Sequence, residues 1–143
     1  LIDALPPHLA RRARPLNEAP PARGAGVVCW LRVSLRPDDN PALDAAAALA
    51  SALGVPLLVY QGLGERYPYA NDRLHTFILE GARDLASGLA ARGLRYALHV
   101  ERPGHRGPVL RELAAQASAI VLDEYPISPW RELTRRLADA APC

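Results

Sequence analysis

Four short apolar runs alternate with helix-like segments along this chain, and that alternation leaves few folds open. The runs are GVVCWL (26–31), VPLLVYQ (55–61), LRYALHV (94–100) and AIVLDE (119–124). Runs of this length, rich in Val, Leu and Ile, mark strands, and the first two read as buried ones, GVVCWL on both faces. Between them lie segments with helical start and stop signals. Asn40 precedes Pro41, an N-cap followed by proline at the first helical position, and Gly54 closes that helix. Asn71 or Asp72 caps a long helix to Arg92, stopped by Gly93, with an apolar face of Leu74, Ile78, Leu85 and Leu89 flanked by Phe77 and Ala82. Shorter helices are expected over Val109–Ala117 and Pro129–Ala140. The order β-α-β-α-β-α-β-α with short links implies a doubly wound, Rossmann-like α/β fold. Its sheet is parallel, helices cover both faces, and the crossovers are right-handed. Strand 1 is expected at the centre of an order 3-2-1-4, with a fifth strand lying outside the chain.

Residues 1–25 have a different character. Pro6, Pro7, Pro15, Pro20 and Pro21 read as an extended leader with one helical turn around His8 to Arg14, and the α/β domain occupies 26–143. The chain begins at Leu1 rather than Met and stops just after a helical segment, where the alternation calls for another strand. It reads as part of a longer protein.

Composition narrows the function more by exclusion than by pointing. A chain of 143 residues, 50% apolar, suffices for one domain with a true core. No run approaches the roughly 20 apolar residues of a membrane helix, and no secretory pattern opens the chain. A net charge of +2 does not by itself argue for nucleic acid. All seventeen basic residues are Arg, so neither a Schiff-base lysine nor a P-loop lysine exists. Cys29 and Cys143 lie far apart and read as free thiols in a reducing, cytoplasmic setting. The four histidines and the serines form no metal-ligand or nucleophile-elbow pattern, and the His105 loop RPGHRGP reads as solvated. Trp30 and Trp130 read as core and interface residues.

In doubly wound sheets, ligands bind beyond the carboxyl ends of the strands, where strand order reverses. The walls of that crevice are the turn after strand 1 (32–40), the loop after strand 4 (123–126) and the loop after strand 2 (61–67). The first turn has neither GxGxxG nor GxxxxGK[ST], so it does not signal a pyrophosphate cradle. The candidate binding residues are Leu35 and Arg36, Gly62 and Leu63, and Asp123, Glu124 and Tyr125. A purely structural role stands beside each: Arg36 and Asp39 pairing, Asn40 capping, and the carboxylates closing a solvated turn. No catalytic apparatus is visible.

The string RVSLRPDDNPAL (32–43) resembles the signature opening the N-terminal domain of DNA photolyases and cryptochromes, with Asp39, Asn40, Ala42 and Leu43 at the matching places. RPLNEAPPARGAGVVCWL resembles the entry to class II cyclobutane pyrimidine dimer photolyases, where Arg-x-Leu-Asn precedes the first strand. YPYANDRLHTFILEGARDLASGLAARGLRYALHV and VLDEYPISPWRELTRRLA resemble later parts of the same domain. Asn71, Arg73, His75, Phe77, Leu79, Glu80 and Gly81 are in register there.

The resemblance implies a two-domain light-driven repair enzyme. A helical C-terminal domain, absent from this chain, would bind FAD and the flipped-out dimer in UV-damaged DNA. This α/β domain would pack on it through an exposed apolar face, as a monomer. It would offer a site for an antenna chromophore, a deazaflavin, a folate or a second flavin. Two other readings stay open: a cryptochrome-like light sensor without repair, and a stand-alone nucleotide-binding α/β domain.

Overall fold

The computed structural model describes residues 1–143. Its centre is a four-stranded parallel sheet in the order β3-β2-β1-β4. The strands are β1 (Val27–Trp30), β2 (Leu57–Leu63), β3 (Arg95–Val100) and β4 (Ala119–Leu122). Val27 is level with Leu57 on one side and with Ala119 on the other, so β1 is central as expected. All four β1 residues are buried, which is why the run carries no polar alternation.

The period of two along β1 divides the core. Val27, Cys29 and Leu31 join Leu43, Ala46 and Leu49 of α2 (Pro41–Leu53) and Leu85 and Leu89 of α3 (Asp72–Ala91). Val28 and Trp30 turn the other way, to Tyr60, Ala114 of α4 (Val109–Gln116) and Leu137 of α5 (Trp130–Ala140). Each fully buried leucine among them, Leu31, Leu43 or Leu89, contributes about 1.5–3 kcal/mol by leaving water.

The helix signals act as read. Asn40 Oδ1 accepts from Leu43 N–H at 3.2 Å, Pro41 fills the first turn, and Gly54 ends α2 at φ +66°. Asn71 Oδ1 accepts from Leu74 N–H at 2.9 Å to start α3. Two details differ. Gly62 and Leu63 belong to β2 rather than to the loop after it, because β3 is long enough to pair with them through His99 and Val100. Phe77 is 73% exposed, since it stands on the solvent side of α3 while Ala82, Leu85 and Leu89 face the sheet.

Within residues 1–25 the chain forms a 3-10 turn, Ile2–Ala4, and one short helix, α1 (Pro7–Ala10). Leu9 is buried, and Leu5 packs against the α2–α3 side of the core. Further along, Ala22 N–H donates to Ser118 O and Ala25 N–H to Gln116 O, which ties this segment to the entrance of β4. Gly24 is needed there. A Cβ on it would lie 2.5 Å from Gln116 O and from the Ala117 carbonyl carbon.

Candidate functional site

The point where strand order reverses lies between the carboxyl ends of β1 and β4. A side chain that sequence reasoning did not single out, Arg32, fills it. Its guanidinium carbon is 4.7 Å from the Trp30 ring centroid and 5.7 Å from that of Trp130. The Arg32 side chain is only 2% exposed. Nη2 donates to Asp123 O at 2.6 Å and Nη1 to Trp130 O at 3.3 Å, while Nε faces Asp123 Oδ1 at 3.5 Å. Burial pulls the Arg32 pKa below its ordinary value, and Asp123 opposes that shift. A planar cation between two indole faces, with its donors on carbonyls, is an arrangement arginine can make and lysine cannot.

Asp123 also closes the first turn. Its Oδ2 accepts from Ser34 N–H at 2.8 Å, joining the two loops that were expected to face each other across a crevice. The turn itself is held by Asn40, which is 1% exposed and donates through Nδ2 to Ser34 O at 2.9 Å and Arg36 O at 3.1 Å. Arg36 does bond to Asp39, but to its backbone carbonyl, at 3.0 and 2.7 Å, not to its carboxylate. Asp39 takes φ +48°, a left-handed conformation that Asp tolerates better than most residues, which turns its carbonyl toward the guanidinium.

The seven candidate binding residues fall into three groups. Leu35 and Arg36 stand in the turn, with Leu35 38% exposed. Asp123, Glu124 and Tyr125 follow β4 directly, with Tyr125 also 38% exposed. Gly62 and Leu63 end β2, across β1 from β4, and Leu63 is buried. Hydrogen bonds join the first two groups through Ser34 and Asp123. Several of the charged groups already have partners within the chain. Glu124 pairs with Arg14, whose Nε donates to Oε2 at 3.1 Å, and this holds the Glu124 carboxyl below the usual carboxylate range. Val33, at 41%, and Ile127, at 59%, add apolar surface beside Leu35 and Tyr125 on the same two loops.

The Arg-x-Leu-Asn segment acquires a structural meaning. Arg14 holds the loop after β4, and Asn17 Nδ2 donates to Ala138 O at 3.2 Å and Cys143 O at 3.1 Å at the end of α5. Ala138 O is one of the carbonyls that the end of a helix leaves without internal donors, and Cys143 lies just beyond that helix. A cavity of about 520 Å3 lies beneath this segment, between α2, β4 and α5. Ser34, Asn40, Asp123 and Glu124 reach its lining, whereas Leu35, Arg36, Gly62, Leu63 and Tyr125 do not.

On the far side, Arg106 Nε donates to Glu65 Oε2 at 2.8 Å, so the RPGHRGP loop is tied to the loop after β2. Arg102 and His105 form an isolated antiparallel bridge within it. Both cysteines are free thiols, and burial, with a smaller effect of Asp123, pushes Cys29 up to about 12. No helix is long and apolar enough to cross a membrane.

A nucleotide-type pyrophosphate does not fit this switch point. The turn offers no glycine cradle, and Arg32, Asp123 and Asn40 occupy the space and the hydrogen bonds there. Residues 27–142 match the DNA photolyase family. The deoxyribodipyrimidine photo-lyase of Methanothermobacter thermautotrophicus is 40% identical over 132 residues, 92% of this chain and 29% of that protein. The deoxyribodipyrimidine photo-lyase of Oryza sativa subsp. japonica is 37% identical over 124 residues, 85% of this chain and 24% of that protein. The chain therefore spans less than a third of the length of these curated relatives. With the α/β sheet and the family match in agreement, the chain belongs to the DNA photolyase family.

Proposed function

We propose that this chain is the N-terminal α/β domain of a deoxyribodipyrimidine photolyase of the class II type. The whole enzyme repairs cyclobutane pyrimidine dimers in UV-damaged DNA by blue-light-driven electron transfer from reduced FAD. The observation that carries this reading is the 40% identity to an archaeal photo-lyase across 92% of the chain. No group of three or more His, Cys, Asp or Glu side chains in the chain could hold a metal ion. The chain's switch point is filled by protein, which supports assigning FAD to a separate helical domain.

The domain's own task is to pack on that helical domain and to present an antenna chromophore. Exposed Tyr69 (89%), just before α3, and Phe77 (73%), in its second turn, support the packing role. Large aromatic groups left in water favour a partner surface. For an antenna, the residues available are Leu35 and Tyr125, with Gly62 and Leu63 across the sheet and Arg36, Asp123 and Glu124 shaping the loops. An apolar rim of this kind suits a flat ring better than a phosphate.

The test is survival after UV. A photolyase-deficient bacterium expressing the full polypeptide should regain survival under blue light and not in the dark. Binding of FAD with no light-dependent rescue would replace this reading with a light sensor.

A further inference from the structure

The first turn, residues 32–40, has little of its own to hold it in shape. Its internal backbone hydrogen bonds are two tight ones, Leu35 N–H to Val33 O at 3.1 Å and Arg36 N–H to Ser34 O at 3.0 Å. Asn40 and Asp123 fix its first half through Ser34 and Arg36. The tip, Pro37 to Asp39, lies outside that grip. From within the turn the Arg36 side chain reaches it, at Asp39 O. The Asp38 side chain is 82% exposed, and Asp39 takes the left-handed φ of +48°. Such a tip keeps one shape when the structure around it over-determines that shape.

The second anchor is on α3. Gly88 lies in the last turn of that helix and Arg92 is its C-cap. Four residues apart, they share one stripe of the helix surface. Pro37 rests on the bare backbone of Gly88. A Cβ there would come 2.6 Å from Pro37 Cγ and 3.0 Å from Pro37 Cβ. The pyrrolidine ring is rigid and cannot turn aside as a flexible side chain would. Just beyond it, Arg92 Nη1 donates to Pro37 O and faces Asp38 Oδ1 at 3.9 Å. Arg92 Nη2 faces Asp44 Oδ1 at 3.6 Å, in the first turn of α2. A cation at a helix C-terminus and an anion at a helix N-terminus are each favoured by the helix dipoles. The guanidinium therefore joins the turn, α2 and α3 from a place where its charge is welcome.

Gly81 of the same helix is the contrast, since a Cβ there meets nothing within 4 Å. Inside a helix, alanine is favoured over glycine at both positions. Only at Gly88 does the missing Cβ make room for a contact from another element.

We propose that Gly88 and Arg92 are the positioning residues of the first turn: Gly88 seats the Pro37 ring, Arg92 ties Pro37 O to the start of α2, and together they latch the tip to α3. Leu35 and Arg36 lie between the anchored Ser34 and the latched tip, so they are held from both sides. Two candidate binding residues thus owe their placement to a helix end 55 residues further along the chain. The latch is a property of the turn itself and stands apart from repair activity and from any chromophore.

Cleavage of the full-length polypeptide by a protease that cuts before aspartate tests this. It cuts before Asp38 and Asp39 when the tip leaves its seat. Exposed Asp3 and Asp84 serve as internal references. Arg92→Gln should speed the cut at the tip about three- to fivefold relative to the references, the modest worth of partly exposed ion contacts, with Tm nearly unchanged. Gly88→Ala should speed it about tenfold, because the methyl lifts Pro37 off the helix. It should also lack the rise of about 3 °C in Tm that alanine brings at Gly81. Gly81→Ala should leave the cut at the tip at its wild-type rate. Gly88→Ala that stabilises the chain as Gly81→Ala does, with the tip cut no faster, would overturn the inference. So would an unchanged cut in Arg92→Gln, or a rise shared by all the aspartates, which reports general loosening. If Gly88→Ala fails to fold, Arg92→Gln decides alone.

Discussion

Arg32→Met is the sharpest perturbation of the switch point. The change keeps side-chain length but removes the cation held between Trp30 and Trp130, and it leaves Asp123 facing an apolar group. The Arg32 side chain is 2% exposed and that of Asp123 14%, so solvent screens the pair weakly. Removing one partner of such a buried pair costs about 3–5 kcal/mol, mostly as the penalty of the stranded charge. The two cation–π contacts and the two carbonyl hydrogen bonds are lost with it, but these terms share one side chain and are not additive. A chain of this length has a total stability of roughly 7–21 kcal/mol, so the predicted loss is a large fraction of it. In heat it corresponds to a fall in Tm of roughly 6–20 °C. Urea unfolding followed by tryptophan fluorescence reads it directly, because both indoles flank the mutated group. The second arm is Asp123→Asn in the Arg32→Met background. The amide removes the stranded charge and can still accept from Ser34 N–H, so about 1–3 kcal/mol should return. A loss below about 1 kcal/mol for Arg32→Met, or no recovery in the double variant, would refute the claim that this ion pair closes the switch point.

Other residues make equally definite predictions. Asn40→Ala removes the cap of α2 and the donor to Ser34 O and Arg36 O, and should cost about 2–3 kcal/mol in urea unfolding. Gly24→Ala sets a methyl against backbone atoms at 2.5–2.6 Å; the leader must shift, with a loss of about 1–3 kcal/mol and faster proteolysis before Gly26. Cys29, with its thiol pushed up to about 12, should resist alkylation at pH 8 in the folded chain, while half-buried Cys143 reacts first, as peptide mapping would show. The same shift makes stability depend on alkali. The unfolded thiol titrates near 8.5, so above that pH the unfolded state binds fewer protons and stability falls as pH rises toward 12. Tyr60 and Tyr96, also raised to about 12 by burial, steepen the fall above about pH 10. Urea midpoints between pH 7 and 11 should show this slope, and Cys29→Ala should flatten its lower part.

The sheet was legible because its causes are local. Continuous apolar runs, Asn-Pro and Asn-Asp helix starts, and Gly54 and Gly93 as stops all act within a few residues of where they stand. Central placement of β1 was expected from the doubly wound order, and its complete burial agrees with it. The site was less legible because its parts meet only in three dimensions. Arg32 lies 91 residues from Asp123 and 98 from Trp130, and nothing local marks Arg32 as more than the end of a strand. The pairing between Arg36 and Asp39 was foreseen, but its use of the backbone carbonyl depends on the left-handed turn at Asp39. Gly62 read as a loop marker because glycine usually breaks strands, and only the length of β3 beside it shows otherwise. The Arg-x-Leu-Asn segment was recognised as a marker before its bonds to the loop after β4 and to the residues around the end of α5 were visible.

Repair of a single defined lesion tests the central claim most directly. The full-length polypeptide, purified with reduced FAD, would be mixed with an oligonucleotide carrying one cyclobutane thymine dimer, and intact thymines would be counted by chromatography. The account predicts conversion under blue light and none in the dark, with the 143-residue chain inactive in both. A full-length, FAD-loaded protein that leaves the dimer intact under blue light would contradict it.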